Sequence, residues 1–144
     1  MIPKSFSSGR SELQGRIDSS VHSISLCDLR REDAPLVYVN RGFENLTGYT
    51  PREVIGHNCR FLQGPATDPQ AVEKIRVAVG TGTPLLLDLL NYRKDGSSFW
   101  NRLSLRPVRQ EGGAVTHFIG IQSDITALKE LEERLLDYAL ELGS

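Results

Sequence analysis

The pattern of apolar and polar positions divides the chain into short elements. Leu13 and Ile17 sit at helical spacing within Ser11–Ser20, with Gly15 weakening the pattern, and the Ser/Gly-rich Met1–Arg10 before them reads as loose. Val21–Asp28 and Leu36–Asn40 read as strands, separated by the polar Arg30–Pro35 loop. Arg41–Thr47 predicts a short helix with Phe43 and Leu46 on one side, closed by Gly48. Thr50-Pro51-Arg52-Glu53 carries a capping box with proline at the first helical position. Asp68-Pro69 opens a helix that should run through Val79 and end at Gly80. Leu85–Arg93 and Ser98–Val108 flank the turn Lys94-Asp95-Gly96-Ser97, and Glu111-Gly112-Gly113 turns the chain into Ala114–Ser123. Asp124 caps a last helix to about Leu142. Two strands, several short helices, three antiparallel strands and a helix predict an α+β domain with helices on one face of an antiparallel sheet.

Alternation sorts the side chains of the late strands. Leu87, Leu89 and Asn91 share a face, as do Asn101, Leu103 and Leu105, and Phe118, Gly120 and Gln122. Three carboxamides, Asn91, Asn101 and Gln122, thus recur on an apolar inner face. Each alone can bond local backbone, but three converging suit a ligand edge rich in donors and acceptors. Asn91 opposes Asn101 only across an odd-length loop, and a three-residue Asp95-Gly96-Ser97 loop with a bulge meets that condition. Gly120 would let a flat ring lie close to the backbone.

The most informative stretch is Gly56-His57-Asn58-Cys59-Arg60-Phe61-Leu62-Gln63-Gly64-Pro65. One helical turn over Asn58–Gln63 puts Cys59 and Gln63 on one side with Arg60 beside them, and Arg76 follows on the next helix. Two guanidinium groups can clamp one phosphate. Taken singly, an arginine reads as a solvated surface charge and a cysteine as a small buried hydrophobe. Spacing alone does not decide between these.

The segment resembles the signature of the light-oxygen-voltage (LOV) family of PAS domains. Tyr38-Val39-Asn40, Leu46-Thr47-Gly48-Tyr49, Asn91-Tyr92-Arg93-Lys94-Asp95-Gly96, Phe99-Trp100-Asn101 and Phe118-Ile119-Gly120-Ile121-Gln122 follow in the family's order, so the resemblance covers roughly Ile24 to Thr126. It implies a PAS fold, a five-stranded antiparallel sheet with short helices on one face and flanking terminal helices. Residues 1–20 would be an N-terminal extension or cap, 21–123 the domain proper and 124–144 a signalling helix. It implies a blue-light photoreceptor that holds flavin mononucleotide (FMN). Cys59 would be the photoactive thiol that bonds reversibly to flavin C4a, and Gln122 the switch glutamine. Arg60 and Arg76 would hold the phosphate, Asn58 and Gln63 the ribityl region, Asn91 and Asn101 the pyrimidine edge. Leu62, Ile75, Leu103, Phe118 and Gly120 would pack around the ring. The short Gly64–Asp68 link favours FMN over the dinucleotide. His57 stands where relatives often carry arginine or lysine. Cys27 stands where threonine is common and would approach the flavin near Gln122, or serve as a small core residue.

Composition adds exclusions. The 144 residues carry 39% hydrophobic and 24% charged residues and a net charge of −1, which gives no pull toward nucleic acid or anionic membrane. Cys27 and Cys59 make no disulfide framework and fit a reducing cytoplasm. The polar N-terminus is not a signal peptide, and the longest apolar run, Pro84–Leu87, is too short to span a bilayer. His22, His57 and His117 are scattered, so no metal site is expected, nor any enzyme. Leu128, Leu131, Leu135, Tyr138 and Leu142 form a heptad seam, which leaves a helix folded back on its own domain or a coiled coil. Leu86, Leu90, Trp100, Ile119 and Ile121 on the outer sheet face need cover. Together they predict a homodimer through that face and the terminal helices. No kinase, DNA-binding or cyclase segment follows Leu142, which leaves open a short protein signalling through another chain or a piece of a larger one. Two further readings remain: a flavin-based redox sensor in which Cys59 is incidental, and a PAS module for another ligand.

Overall fold

The computed structural model describes residues 4–143, with side chains from Glu12 onward. Its elements are α1 (Lys4–Ser19), β1 (Ser23–Asp28), β2 (Leu36–Val39), α2 (Arg41–Thr47), α3 (Pro51–Val54), a 3-10 turn (Cys59–Leu62), α4 (Pro69–Thr81), β3 (Leu85–Tyr92), β4 (Ser98–Arg109), β5 (Val115–Asp124) and α5 (Thr126–Gly143). The five strands form one antiparallel sheet in the order β2-β1-β5-β4-β3. This is the expected PAS architecture with flanking helices.

Three boundaries differ from the sequence reading. From Lys4 on the N-terminus is helical rather than loose, and the reading of Met1–Pro3 lies outside the described residues. Gly9 and Gly15 each weaken α1 by about 1 kcal/mol, but tertiary bonds hold its end. Ile17 O accepts from Asn40 Nδ2 at 2.9 Å, and Tyr38 donates its hydroxyl to Asp18. Helix α4 runs past Gly80 and closes at Gly82, whose left-handed φ of 65° lets its N–H return to Ala78 and Val79. The hairpin is shifted by one residue. Arg93 N–H donates to Ser97 O at 2.8 Å across a Lys94-Asp95-Gly96 loop, with Gly96 at φ 89°. Asn91 therefore pairs with Phe99 and Asn101 with Leu89, so the two amides lie diagonally on one face instead of directly opposite.

Buried Asn40 knits the first half together. Its Oδ1 accepts from Phe43 N, capping α2, and from Ile24 N, while Nδ2 donates to His22 O as well as Ile17 O. Leu36, Val39, Phe43, Val54 and Leu62 pack beneath α2, α3 and the 3-10 turn. The inner sheet face beyond this core is left to line a cavity.

Helix α5 leaves the end of β5 over the outer face. Trp100 N–H donates to Thr126 Oγ1 at 2.9 Å, Lys129 Nζ lies 3.2 Å from Asp88 Oδ2, and the same ammonium sits 5.1 Å from the Trp100 ring centre. No described side chain of α5 is buried, Leu86 on the sheet stays 68% exposed, and Leu90, Trp100, Ile119 and Ile121 are half-buried, so the helix covers the outer face only in part.

Candidate functional site

A cavity of about 590 Å³ lies between the inner sheet face, α4, the 3-10 turn and the Leu29–Leu36 loop. It brings together Cys27, Asn58, Cys59, Arg60, Leu62, Gln63, Ile75, Arg76, Asn91, Asn101, Leu103, Phe118, Gly120 and Gln122. Residues from six elements and two loops meet there because alternation sends every second strand residue inward and the register aligns those rows.

Cys59 opens the 3-10 turn, which Asn58 caps by accepting from Arg60 N at 3.0 Å. The tighter 3-10 winding stacks Cys59 over Leu62 and releases Gln63 into extended conformation (φ −82°, ψ 155°), so the expected Cys59/Gln63 side of an α-turn does not form. Cys59 keeps part of its accessibility toward the cavity, yet the dense protein around it pushes its thiol up to about 12, with Cys27 adding to the effect. Burial also raises the Cys27 thiol. Both are protonated sulfhydryls at neutral pH.

The amides form a polarised row. Ser123 N–H donates to Asn101 Oδ1, Asn101 Nδ2 to Asn91 Oδ1 at 2.9 Å, and Asn91 Nδ2 to Leu90 O at 3.3 Å. One N–H and one lone pair of each carboxamide stay open, the complement of an edge that alternates carbonyl and N–H. Gln122 sits opposite Ser23 and diagonal to Ser25. It accepts from Ser23 Oγ at 2.5 Å and donates from Nε2 to Ser25 Oγ at 2.8 Å. A Cβ on Gly120 would come within 2.5 Å of Ser25 Oγ and 2.9 Å of Gln122 Nε2, so only glycine leaves this pair undisturbed. The mouth is charged. Arg60 donates two hydrogen bonds to Asp33, at 2.8 and 2.5 Å, and Arg76 two to Glu73 on its own helix.

A flat polar heterocycle with an anionic tail fits this set: amides at one end, apolar walls, a glycine under the ring and two guanidinium groups at the mouth. A PAS domain model matches residues 23–127. Phototropin-2 of Oryza sativa subsp. japonica is 47% identical over 119 residues, which is 83% of this chain and 13% of that protein. The structure of an RNA-binding light-oxygen-voltage receptor superimposes with a TM-score of 0.87 at 39% identity, covering 99% of this chain and 40% of that one. The LOV domain from Erythrobacter litoralis EL346 blue-light activated histidine kinase does so with a TM-score of 0.71 at 43% identity, covering 73% of this chain and 96% of that one. The chain belongs to the LOV family of PAS domains. It spans only a minor part of phototropin-2 and of the RNA-binding receptor.

Sequence reasoning missed several residues of this LOV domain's cavity. Ser25 shares the Cys27 row of β1, a period-two signal that was available. Val72 and Val79 extend Ile75 and Arg76 into an i, i+3, i+4, i+7 stripe on α4. Asp33 and Ala34, in an irregular loop at left-handed φ of 64° and 44°, carry no periodic signal. Among the described residues of the LOV domain, no His, Cys, Asp and Glu cluster could hold a metal, and no helix is long and apolar enough to cross a membrane.

Proposed function

We propose that this chain is a blue-light-sensing module that holds FMN in the 590 Å³ cavity and uses Cys59 as its photoactive group. The observation that carries this reading is a protonated cysteine in the same cavity as three buried carboxamides, with two arginines at its mouth. The flavin, when bound, would supply the light-absorbing ring and an electrophilic carbon, C4a, to which the S–H of Cys59 would add reversibly, the sulfur to the carbon and the hydrogen to the adjacent ring nitrogen. The protein supplies the rest. Asn91 and Asn101 orient the pyrimidine edge, with Leu62, Ile75, Leu103, Phe118 and Gly120 around the ring. Asn58 and Gln63 face the ribityl chain, and Arg60 and Arg76 bind the phosphate. Holding the thiol in place makes bond formation effectively unimolecular. Cys27 pairs with Phe118, four ladder positions from the Gln122 partner Ser23 instead of beside Gln122 as expected, and tunes the resting state from the Cys59 side. Gln122 would exchange its amide and carbonyl ends on protonation of the flavin ring, which would alter its bonds to Ser23 and Ser25 of β1 and pass along the end of β5 into α5.

The module turns over no substrate. Its output runs through α5 and the outer sheet face to a second copy and then to a downstream signalling protein in the cytoplasm. The heptad seam of α5 supports this, because Leu131 and Leu135 are 64% and 68% exposed and Leu142 70%. The test is an absorption spectrum taken in the dark, after blue light and through dark recovery. Parent protein with flavin should bleach and recover; Cys59→Ala should stay yellow and lose reversible bleaching. A variant that bleaches and recovers with parent kinetics would leave flavin redox sensing as the better account.

A further inference from the structure

We propose that Asp33 competes with the flavin phosphate for Arg60, so that this one carboxylate limits how strongly the site prefers FMN over unphosphorylated riboflavin. The inference rests on the flavin reading above. Arg60 presents its Nη1/Nη2 edge to Asp33 in a two-pronged pair, the same kind of edge a phosphate takes. The guanidinium beside Asp33 holds its carboxyl below the usual carboxylate range, so it is charged at neutral pH. Arg76 differs. Its carboxylate, Glu73, lies three residues back on the same helix and ties nothing across the mouth.

Asp33 reaches Arg60 from a loop bent to do so. Asp33 and Ala34 both hold left-handed φ, which costs a non-glycine residue free energy. Two bonds to the 3-10 turn segment offset that cost: the ion pair itself and Asn58 Nδ2 donating to Asp33 O at 2.8 Å. Asn58 also caps the turn that begins at Cys59, so loop, cap and arginine form one circuit at the lip. Both partners of the ion pair stand in water, with side chains 58% and 54% exposed, so it opens at little cost. A phosphate arriving between Arg60 and Arg76 must displace the carboxylate or share the guanidinium with it, and the two anions then repel. Riboflavin, which is neutral, meets no such conflict.

The test titrates flavin-free parent, Asp33→Asn and Asp33→Ala with FMN and with riboflavin, following quenching of flavin fluorescence. Both variants should bind FMN about fivefold more tightly, in line with the loss of one exposed ion pair, with riboflavin affinity unchanged. The asparagine variant keeps a polar side chain of the same shape, and the alanine variant removes it, so agreement between them isolates the charge. An FMN-to-riboflavin preference that stays the same or falls in both variants would overturn the proposal and make Asp33 a positioning residue for Arg60. Parent protein that binds neither flavin would instead overturn the flavin reading, and this proposal with it.

Discussion

Gln122 is held by two serines before any ligand is considered, and removing it has a calculable cost. Ser23 is 3% exposed and its hydroxyl donates to Gln122 Oε1; Ser25 is 5% exposed and keeps a second, weaker acceptor in Gly120 O at 3.4 Å. Gln122→Leu fills the volume but orphans the Ser23 hydroxyl, and leaving a buried donor unsatisfied costs about 1–3 kcal/mol. The expected loss is about 2 kcal/mol. Ser23→Ala alone orphans Gln122 Oε1 and should cost a similar amount. The double variant removes both polar ends, so it should be about 1–2 kcal/mol more stable than the sum of the singles predicts. Urea unfolding of flavin-free protein, which avoids stabilisation by bound ligand, reads this directly. With a slope of about 1–3 kcal/mol/M, Gln122→Leu should lower the midpoint by roughly 1 M. Strictly additive losses would refute the claim that Ser23 and Gln122 act as one bonded unit.

Other outcomes follow from single features. Phe43→Ala empties a fully buried position in the core beneath α2 and should cost about 3–5 kcal/mol, seen as a large fall in the urea midpoint. Because burial lifts the Cys59 thiol to about 12, iodoacetamide labelling of flavin-free protein in the dark should stay slow at pH 9 and accelerate only toward pH 12; rapid labelling at pH 8 would contradict the burial argument. Asp28, bonded three ways by Arg30, has its carboxyl lowered to about 2. Its folded value lies below its unfolded one, so its contribution is present above about pH 4 and is lost as pH falls toward 2, and Asp28→Asn should flatten that part of an acid-unfolding curve.

Much of the site was legible because strand alternation is a strict period. Knowing that Asn101, Leu103 and Leu105 face one way fixes the neighbours once strands pair, and the LOV-like segment supplied Cys59 and Arg60, with Arg76 on the helix after it. Register was harder. A loop of three residues can sit at 94–96 or 95–97, and the choice depends on which position best takes left-handed φ; Gly96 takes it, which moves Asn91 off Asn101 by two ladder positions. The end of α4 posed the same difficulty, with Gly80 and Gly82 both available and only the second adopting the left-handed cap. The first half of helix α1 was misread because its composition argues against it, and the support of the helix comes from Asn40 and Tyr38, far along the chain. Asp33 was invisible because its partner Arg60 lies 27 residues away and no local pattern links them.

Helix α5 meets the sheet through the Thr126 hydroxyl and the Lys129 ammonium over Asp88 and Trp100, and Glu132 one turn further on attracts Arg102 of β4. Each such partly exposed contact contributes about 1 kcal/mol. Detaching the helix from its base is therefore about as costly as breaking a few ordinary polar contacts, the scale of the exchange proposed for Gln122 at the α5 end of β5. A rearrangement that small can tip a long apolar surface from one resting direction to another without straining the domain that carries it.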